Sequence, residues 1–213
     1  MHFMSVTTSE YRSFQKAYDF FNGELFDTGL PQVLITLQRQ ANTKGYFSPK
    51  RFGGRLKETF VDELAMNPDT FKERTDREIL STLVHEMVHV WQDRFGKASR
   101  GRYHNREWAN KMKMLGLQPS HTGRPGGREV GQRMSHYILE GDPFSVSYDK
   151  LERSGFKLSW NSRRPPTKRR ESKVKYTCQT CGQNAWAKPD ALLLCGHCQQ
   201  PMLSVTDIAL AVA

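Results

Sequence analysis

Residues 75–96 read TDREILSTLVHEMVHVWQDRFG, and the reading of this stretch decides the fold. Thr75-Asp-Arg-Glu78 has the form of a capping box, in which a hydroxyl and a carboxylate satisfy backbone amides at a helix start. Gly96 supplies a stop, so the pattern predicts one helix over 76–95. At about 100° per residue, Ile79, Leu80, Leu83, Val84, Met87, Val88, Val90, Trp91 and Phe95 share one side. His85, Glu86 and His89 fall on the other, with Glu78, Thr82 and Gln92. The expectation is a helix with one face in a core and its histidines on the opposite face.

The segment His85-Glu-Met-Val-His89 has the HExxH form. Positions i and i+4 lie about 40° apart around a helix and ~6 Å apart along it, so two imidazoles can share one zinc ion. Glu86 then sits beside the metal, placed to take a proton from a metal-bound water. The competing reading is a helix with two surface histidines. The clean separation of faces favours the metal. A third ligand is needed, and His104, Glu107, His121 and His136 are the candidates downstream. His104 is preferred, because it opens a second helix after a loop long enough to turn the chain back across the first. Glu107 is then a rival ligand or a partner of one. His136, Tyr137 and Tyr103 are candidates for an oxyanion donor.

Before this helix, Tyr11, Phe14, Tyr18, Phe21 and Leu25 recur at helical spacing, predicting a helix over 9–26 that ends at TGLP. QVLITLQ (32–38) reads as a strand, KGYFSP (44–49) as its neighbour after a turn, and ETFVDELAMNP (58–68) as a third. After it, HNREWANKMKML (104–115) reads as a shorter helix, 116–132 as a Gly- and Pro-rich loop, and RMSHYIL (133–139) as a strand.

Four cysteines form two knuckles, Cys178-Gln-Thr-Cys181 and Cys195-Gly-His-Cys198. This spacing suits one tetrahedral zinc held by four thiolates, with Gly182 and Gly196 as the turn residues. A redox dithiol is disfavoured because neither pair has βαβ surroundings. Metal binding at ~10–16 kcal/mol is enough to fold so small a module.

The chain carries a net charge of +10. Between Lys150 and Thr177 stand ten Lys or Arg against Glu152 and Glu171, so +8 of that charge lies in one segment. Arg163, Arg164, Lys168, Arg169 and Arg170 cluster around Pro165-Pro166, with Trp160 close by. Cations neutralise phosphates and an aromatic stacks on unpaired bases, so these six residues are the expected nucleic-acid contacts, with DNA, single-stranded or partly unpaired, as the partner. A solvated spacer is the plain alternative. No apolar run reaches the ~18–20 residues of a membrane span. The N-terminal residues lack a basic start and an apolar stretch, so a cytoplasmic protein is expected, nucleoid-associated if bacterial.

In order along residues 10–140, FFNGELFDTGLP, the GYF strand, LSTLVHEMVHVWQ and YHNREWANKMKMLGL resemble the SprT-like zinc metallopeptidases, the Spartan-related family. The match is strongest at His85, Glu86, His89 and the HNREW around His104, where the family has its third zinc ligand. The resemblance implies an α+β, compact zincin-like domain and a role in degrading proteins trapped on DNA. The segment 116–144 has no counterpart in Spartan itself and resembles a bacterial or mobile-element branch of the family. Many members also carry a similar C-terminal ribbon. The resulting expectation is a metallopeptidase domain over 1–148, a basic linker over 149–174 and a zinc ribbon over 175–213. One zinc would be catalytic and one structural. The function expected is zinc-dependent cleavage of DNA-bound proteins, and the rival is a DNA-binding adaptor with two structural zincs.

Overall fold

A computed structural model describes residues 5–100, 103–163 and 173–204. The protein is α+β, and its chain divides into two compact units, residues 1–166 and 167–213. Helix α1 (Val6–Phe26) opens the first unit, capped by Ser5, whose side chain accepts from the Thr8 amide. It ends where Asp27 and Thr28 turn to positive φ. The buried Asn22 side chain holds that turn, donating to the Leu30 carbonyl at 3.1 Å and accepting from the Leu30 amide at 3.0 Å.

Three strands follow: β1 (Leu34–Leu37), β2 (Gly45–Gly53) and β3 (Phe60–Met66). Their order is β1-β3-β2, with β3 parallel to β1 and antiparallel to β2. The sequence reading places β2 next to β1, whereas β3 lies between them. Residues 62–66 of β3 are buried on both faces, which is the burial of a central strand.

Helix α2 spans Asp76–Phe95 with the expected capping box: Thr75 Oγ1 accepts from the Glu78 amide and Glu78 Oε2 accepts from the Thr75 amide. Its two-faced character is only half as expected. Ile79 to Val90 on the apolar side are buried, but Thr82, His85, Glu86 and Gln92 on the polar side are buried too. Phe95 is exposed. Gly96 stops the helix in extended backbone, and a Cβ there would lie 2.4 Å from Glu107 Oε2, so a side chain at 96 would displace the Glu107 carboxylate.

Helix α3 (Arg106–Met114) leads into β4 (Leu117–Ser120), which pairs antiparallel with β5 (Ser135–Ile138). The Gly- and Pro-rich stretch read as loop thus begins with a strand. Helix α4 (Pro143–Arg153) then packs on α1, with Phe144 stacked on Phe21 at 5.5 Å. This helix lies partly in the expected linker, and the chain stays anchored beyond it. Leu151 and Phe156 are buried in the core, the Leu158 amide donates to Asp76 Oδ2, and the Ser162 amide donates to the Pro68 carbonyl. An apolar face at helical spacing outweighs the local basic charge, so the packing of the first unit continues as far as Ser162.

The second unit is a four-stranded antiparallel sheet ordered β7-β6-β9-β8, from β6 (Val174–Cys178), β7 (Asn184–Ala187), β8 (Leu193–Leu194) and β9 (Pro201–Ser204). Its knuckles repeat one geometry: Gly182 donates to the Cys178 carbonyl as Gln199 donates to that of Cys195. The left-handed residue of the first is Gly182 (φ 73°), and its match in the second is Gln199 (φ 54°), not Gly196. Among the described residues no helix is long and apolar enough to cross a membrane.

Left-handed backbone strains a residue with a Cβ but not glycine. Gln199→Gly should therefore stabilise the metal-loaded second unit by about 0.5–1 kcal/mol, and Gly182→Ala, whose Cβ would meet nothing within 4 Å, should destabilise it by about as much. Amide hydrogen exchange across residues 174–204 measures both.

Candidate metal centre

His85 and His89 project from α2 one turn apart, and His104 comes to them from the chain just before α3. A backbone bridge holds that third residue. The His104 amide donates to the Gly131 carbonyl at 2.8 Å and the Gly131 amide returns to the His104 carbonyl at 3.1 Å. His104 Nδ1 also lies 3.0 Å from the Gly131 carbonyl oxygen, so Nδ1 carries the proton and Nε2 presents its lone pair. The fully buried Trp108 forms the floor, with its ring 4.4–5.5 Å from all three imidazoles.

The three Nε2 atoms converge. That of His104 stands 3.1 Å from His89 Nε2 and 3.3 Å from His85 Nε2. A tetrahedral ion with metal–nitrogen bonds of about 2.0–2.1 Å sets its ligand nitrogens about 3.3–3.4 Å apart. The residues present fit such an ion. Burial, then the neighbouring imidazoles, hold His85 well below the usual histidine range, and burial and His104 bring His89 down to about 3. His85 and His89 are therefore neutral, the form that binds a metal.

Glu86 lies beside the histidines, buried between α2 and β2. Gly45 makes this packing possible: a Cβ there would lie 2.8 Å from the Ala65 carbonyl oxygen and 3.4 Å from Glu86 Cγ. Burial raises the Glu86 carboxyl to about 8, and the hydrogen bond from the Phe47 backbone amide opposes that rise. A divalent charge nearby would favour the carboxylate.

Glu107 is not one of the three converging residues. Its Oε2 accepts from Gln92 Nε2 and from the Lys97 amide, both at 2.7 Å, while Gln92 also donates to Asn105 Oδ1 at 2.8 Å. The cluster clamps the end of α2 to the start of α3 and so supports His104 from outside. His121 accepts from the Arg128 amide in the β4–β5 connection. His136 stands behind His85, its Nδ1 3.2 Å from His85 Nδ1 and its Nε2 2.9 Å from Ser81 Oγ. Both nitrogens are engaged there, which removes it from the oxyanion candidates. Ser81 went unnoticed in the sequence, although it stands one turn before His85 on the stripe that continues to His89. Gly131 and the Phe47 amide act through the backbone, which no side-chain pattern marks.

The four cysteines form the second candidate metal group, their sulfurs within 4.8 Å of one another. Cys181 and Cys195 Sγ are 3.6 Å apart, close to the about 3.8 Å edge of a tetrahedron with metal–sulfur bonds of about 2.3 Å. Backbone amides of Cys181 and Thr180 bring the Cys178 thiol down to about 6, and the surrounding cysteines push Cys198 up to about 12. Of the expected nucleic-acid contacts, Trp160 and Arg163 are exposed. Arg164, Lys168, Arg169 and Arg170 lie outside the described residues.

The model of the SprT-like family matches residues 14–125, just over half of the chain. The chain belongs to the SprT-like family. A Salmonella typhimurium protein described as an uncharacterized protein in mucB 3'region is 53% identical to it over 58 residues, 27% of this chain and 78% of that one. The span matched by the SprT-like model contains His85, Glu86, His89 and His104, and it ends before Gly131, His136 and the cysteines.

The buried Glu86 makes a prediction for the metal-free protein. Its folded pKa is raised to about 8, so the stability it allows is complete below the unfolded value of about 4.3 and is lost as pH rises through 8. The buried histidines act oppositely, gaining stability as pH rises, but they are common to wild type and variant. After chelation, Glu86→Gln should melt above wild type at pH 8, by an amount on the order of a few kcal/mol, and the gap should close towards pH 5. Thermal unfolding at the two pH values measures it.

Proposed function

We propose that this SprT-like protein is a zinc-dependent endopeptidase. The observation that carries the reading is the convergence of His85, His89 and His104 Nε2 beside a buried carboxyl, Glu86. Three imidazoles suit zinc and would leave a tetrahedral position open for water or substrate, while four thiolates would make the closed set of a structural zinc. Zinc in the histidine site supplies Lewis acidity towards a scissile carbonyl. Glu86, held by the Phe47 amide, accepts the proton of the attacking water and passes it to the leaving amine. Strand β2 is one of the two outer strands of its sheet and borders a groove of about 450 Å³ lined by Gln40, Tyr46, Phe47, Ser48, Pro49 and Arg51. An extended peptide added along that strand would pass Glu86, which favours cleavage within chains.

Recruitment belongs to the same proposal. Trp160 and Arg163 stand exposed at the start of the basic run, and the ribbon follows it. Binding of DNA by this run would select proteins bound to DNA and let a cleft of low sequence preference work safely.

The full chain should hold two zinc ions, and Glu86→Gln should keep both while cleavage falls by at least ~10²–10⁴. Metal analysis beside a casein-type assay reads this. Near-normal turnover in the zinc-loaded variant would favour the adaptor reading instead.

Affinity for single-stranded DNA should fall with salt, at a log–log slope of about −0.7 per phosphate neutralised. Changing Arg163, Arg164, Lys168, Arg169 and Arg170 to glutamine should flatten that slope and weaken DNA-dependent cleavage. An unchanged slope would reduce the run to a solvated spacer.

A further inference from the structure

His136 stands directly behind a metal-facing ring. When His85 presents Nε2 to an ion, its Nδ1 must carry a proton and needs an acceptor. His136 Nδ1, 3.2 Å away, is that acceptor, which puts the His136 proton on Nε2. That Nε2–H faces Ser81 Oγ at 2.9 Å, and Ser81 in turn donates to the Glu78 carbonyl at 2.9 Å. Every donor and acceptor in this chain is matched in one direction only. The carbonyl at its end is fixed in α2 and cannot become a donor, so the order cannot reverse.

The same hairpin serves His104. Gly131, in the β4–β5 connection, supplies the carbonyl that orients the His104 ring, and His136 lies on β5 itself. Two of the three converging imidazoles thus take their orientation from residues beyond the span matched by the SprT-like model.

We propose that His136 is a positioning residue of the metal centre, holding His85 in the tautomer and orientation that present Nε2 to the ion through the chain His85–His136–Ser81–Glu78 carbonyl. The proposal rests on the metal-centre reading above. His136 touches neither substrate nor metal; it acts by making His85 a single, oriented ligand.

The test uses the full chain, stripped of metal and reloaded with cobalt(II), whose bands from a nitrogen site are read apart from the thiolate charge-transfer bands of the cysteine site. Affinity at the nitrogen site is measured by chelator competition in wild type, His136→Asn, His136→Gln and His136→Leu. Asparagine places its amide oxygen near the Nδ1 position and keeps the acceptor for His85; glutamine reaches towards Ser81, and leucine keeps only bulk. The asparagine variant should bind within about threefold of wild type, and the other two about 10–100-fold more weakly. The thiolate bands and the unfolding temperature of the metal-free chain should stay in place. Should leucine prevent folding, the asparagine–glutamine difference carries the same test. Wild-type affinity in the leucine variant, or asparagine as weak as leucine or glutamine, would overturn the proposal while leaving the metal centre standing. Absence of nitrogen-site bands in wild type would overturn the metal centre and this proposal with it.

Discussion

Three imidazole nitrogens crowd towards one point, His104 Nε2 standing 3.1 Å from that of His89 and 3.3 Å from that of His85, a spacing that suits one shared cation. Much of the first unit serves to hold that arrangement. Two ligands come from one helix, so their spacing is set by helical geometry and needs no further support. The third arrives fifteen residues after His89 and has to be clamped. Two clamps do it, one on each side: the Gln92–Glu107–Asn105 cluster ties the end of α2 to the start of α3, and the Gly131 bridge ties His104 to the β4–β5 connection. Trp108 closes the floor, in contact with all three rings.

The same burial sets the electrostatics. Burial drives His85 and His89 neutral and Glu86 towards its acid form. A divalent ion arriving there would meet His85 and His89 already neutral and would draw Glu86 towards its carboxylate form. The Phe47 amide is aimed at the carboxylate and prepares it for that change. Gly45 makes the approach of β2 possible, and the strand that orients Glu86 is also the one that borders the groove.

The two units solve the metal problem in opposite ways. In the first, a core of aromatic and aliphatic side chains from four helices and a sheet stands ready to hold the histidines in place before any ion binds. In the second, the buried core among the described residues consists of Tyr176, Cys178, Cys195 and Met202, and two of those four are cysteines of the candidate metal group. So little apolar burial cannot offset the entropy of ordering the segment, and an ion held by the four cysteines would become part of the fold.

The sequence by itself determined the elements whose causes are local. The capping box at Thr75–Glu78, the helix over 76–95, the HExxH stripe and the paired CxxC knuckles all depend on spacing within one element, and spacing is visible in a string of letters. His104 was legible for a related reason, since a helix start at a suitable loop length marks it. Only the tertiary structure decided what depends on distant backbone. It placed β3 between β1 and β2, carried the packing of the first unit on through α4 as far as Ser162, and gave the left-handed turn of the second knuckle to Gln199 rather than Gly196. It set Gly131 and the Phe47 amide against the site through peptide groups that every residue possesses. His136 was visible as a candidate, but its neighbours were not, because Ser81 and His85 lie fifty-odd residues away and meet it only when β5 folds back over α2.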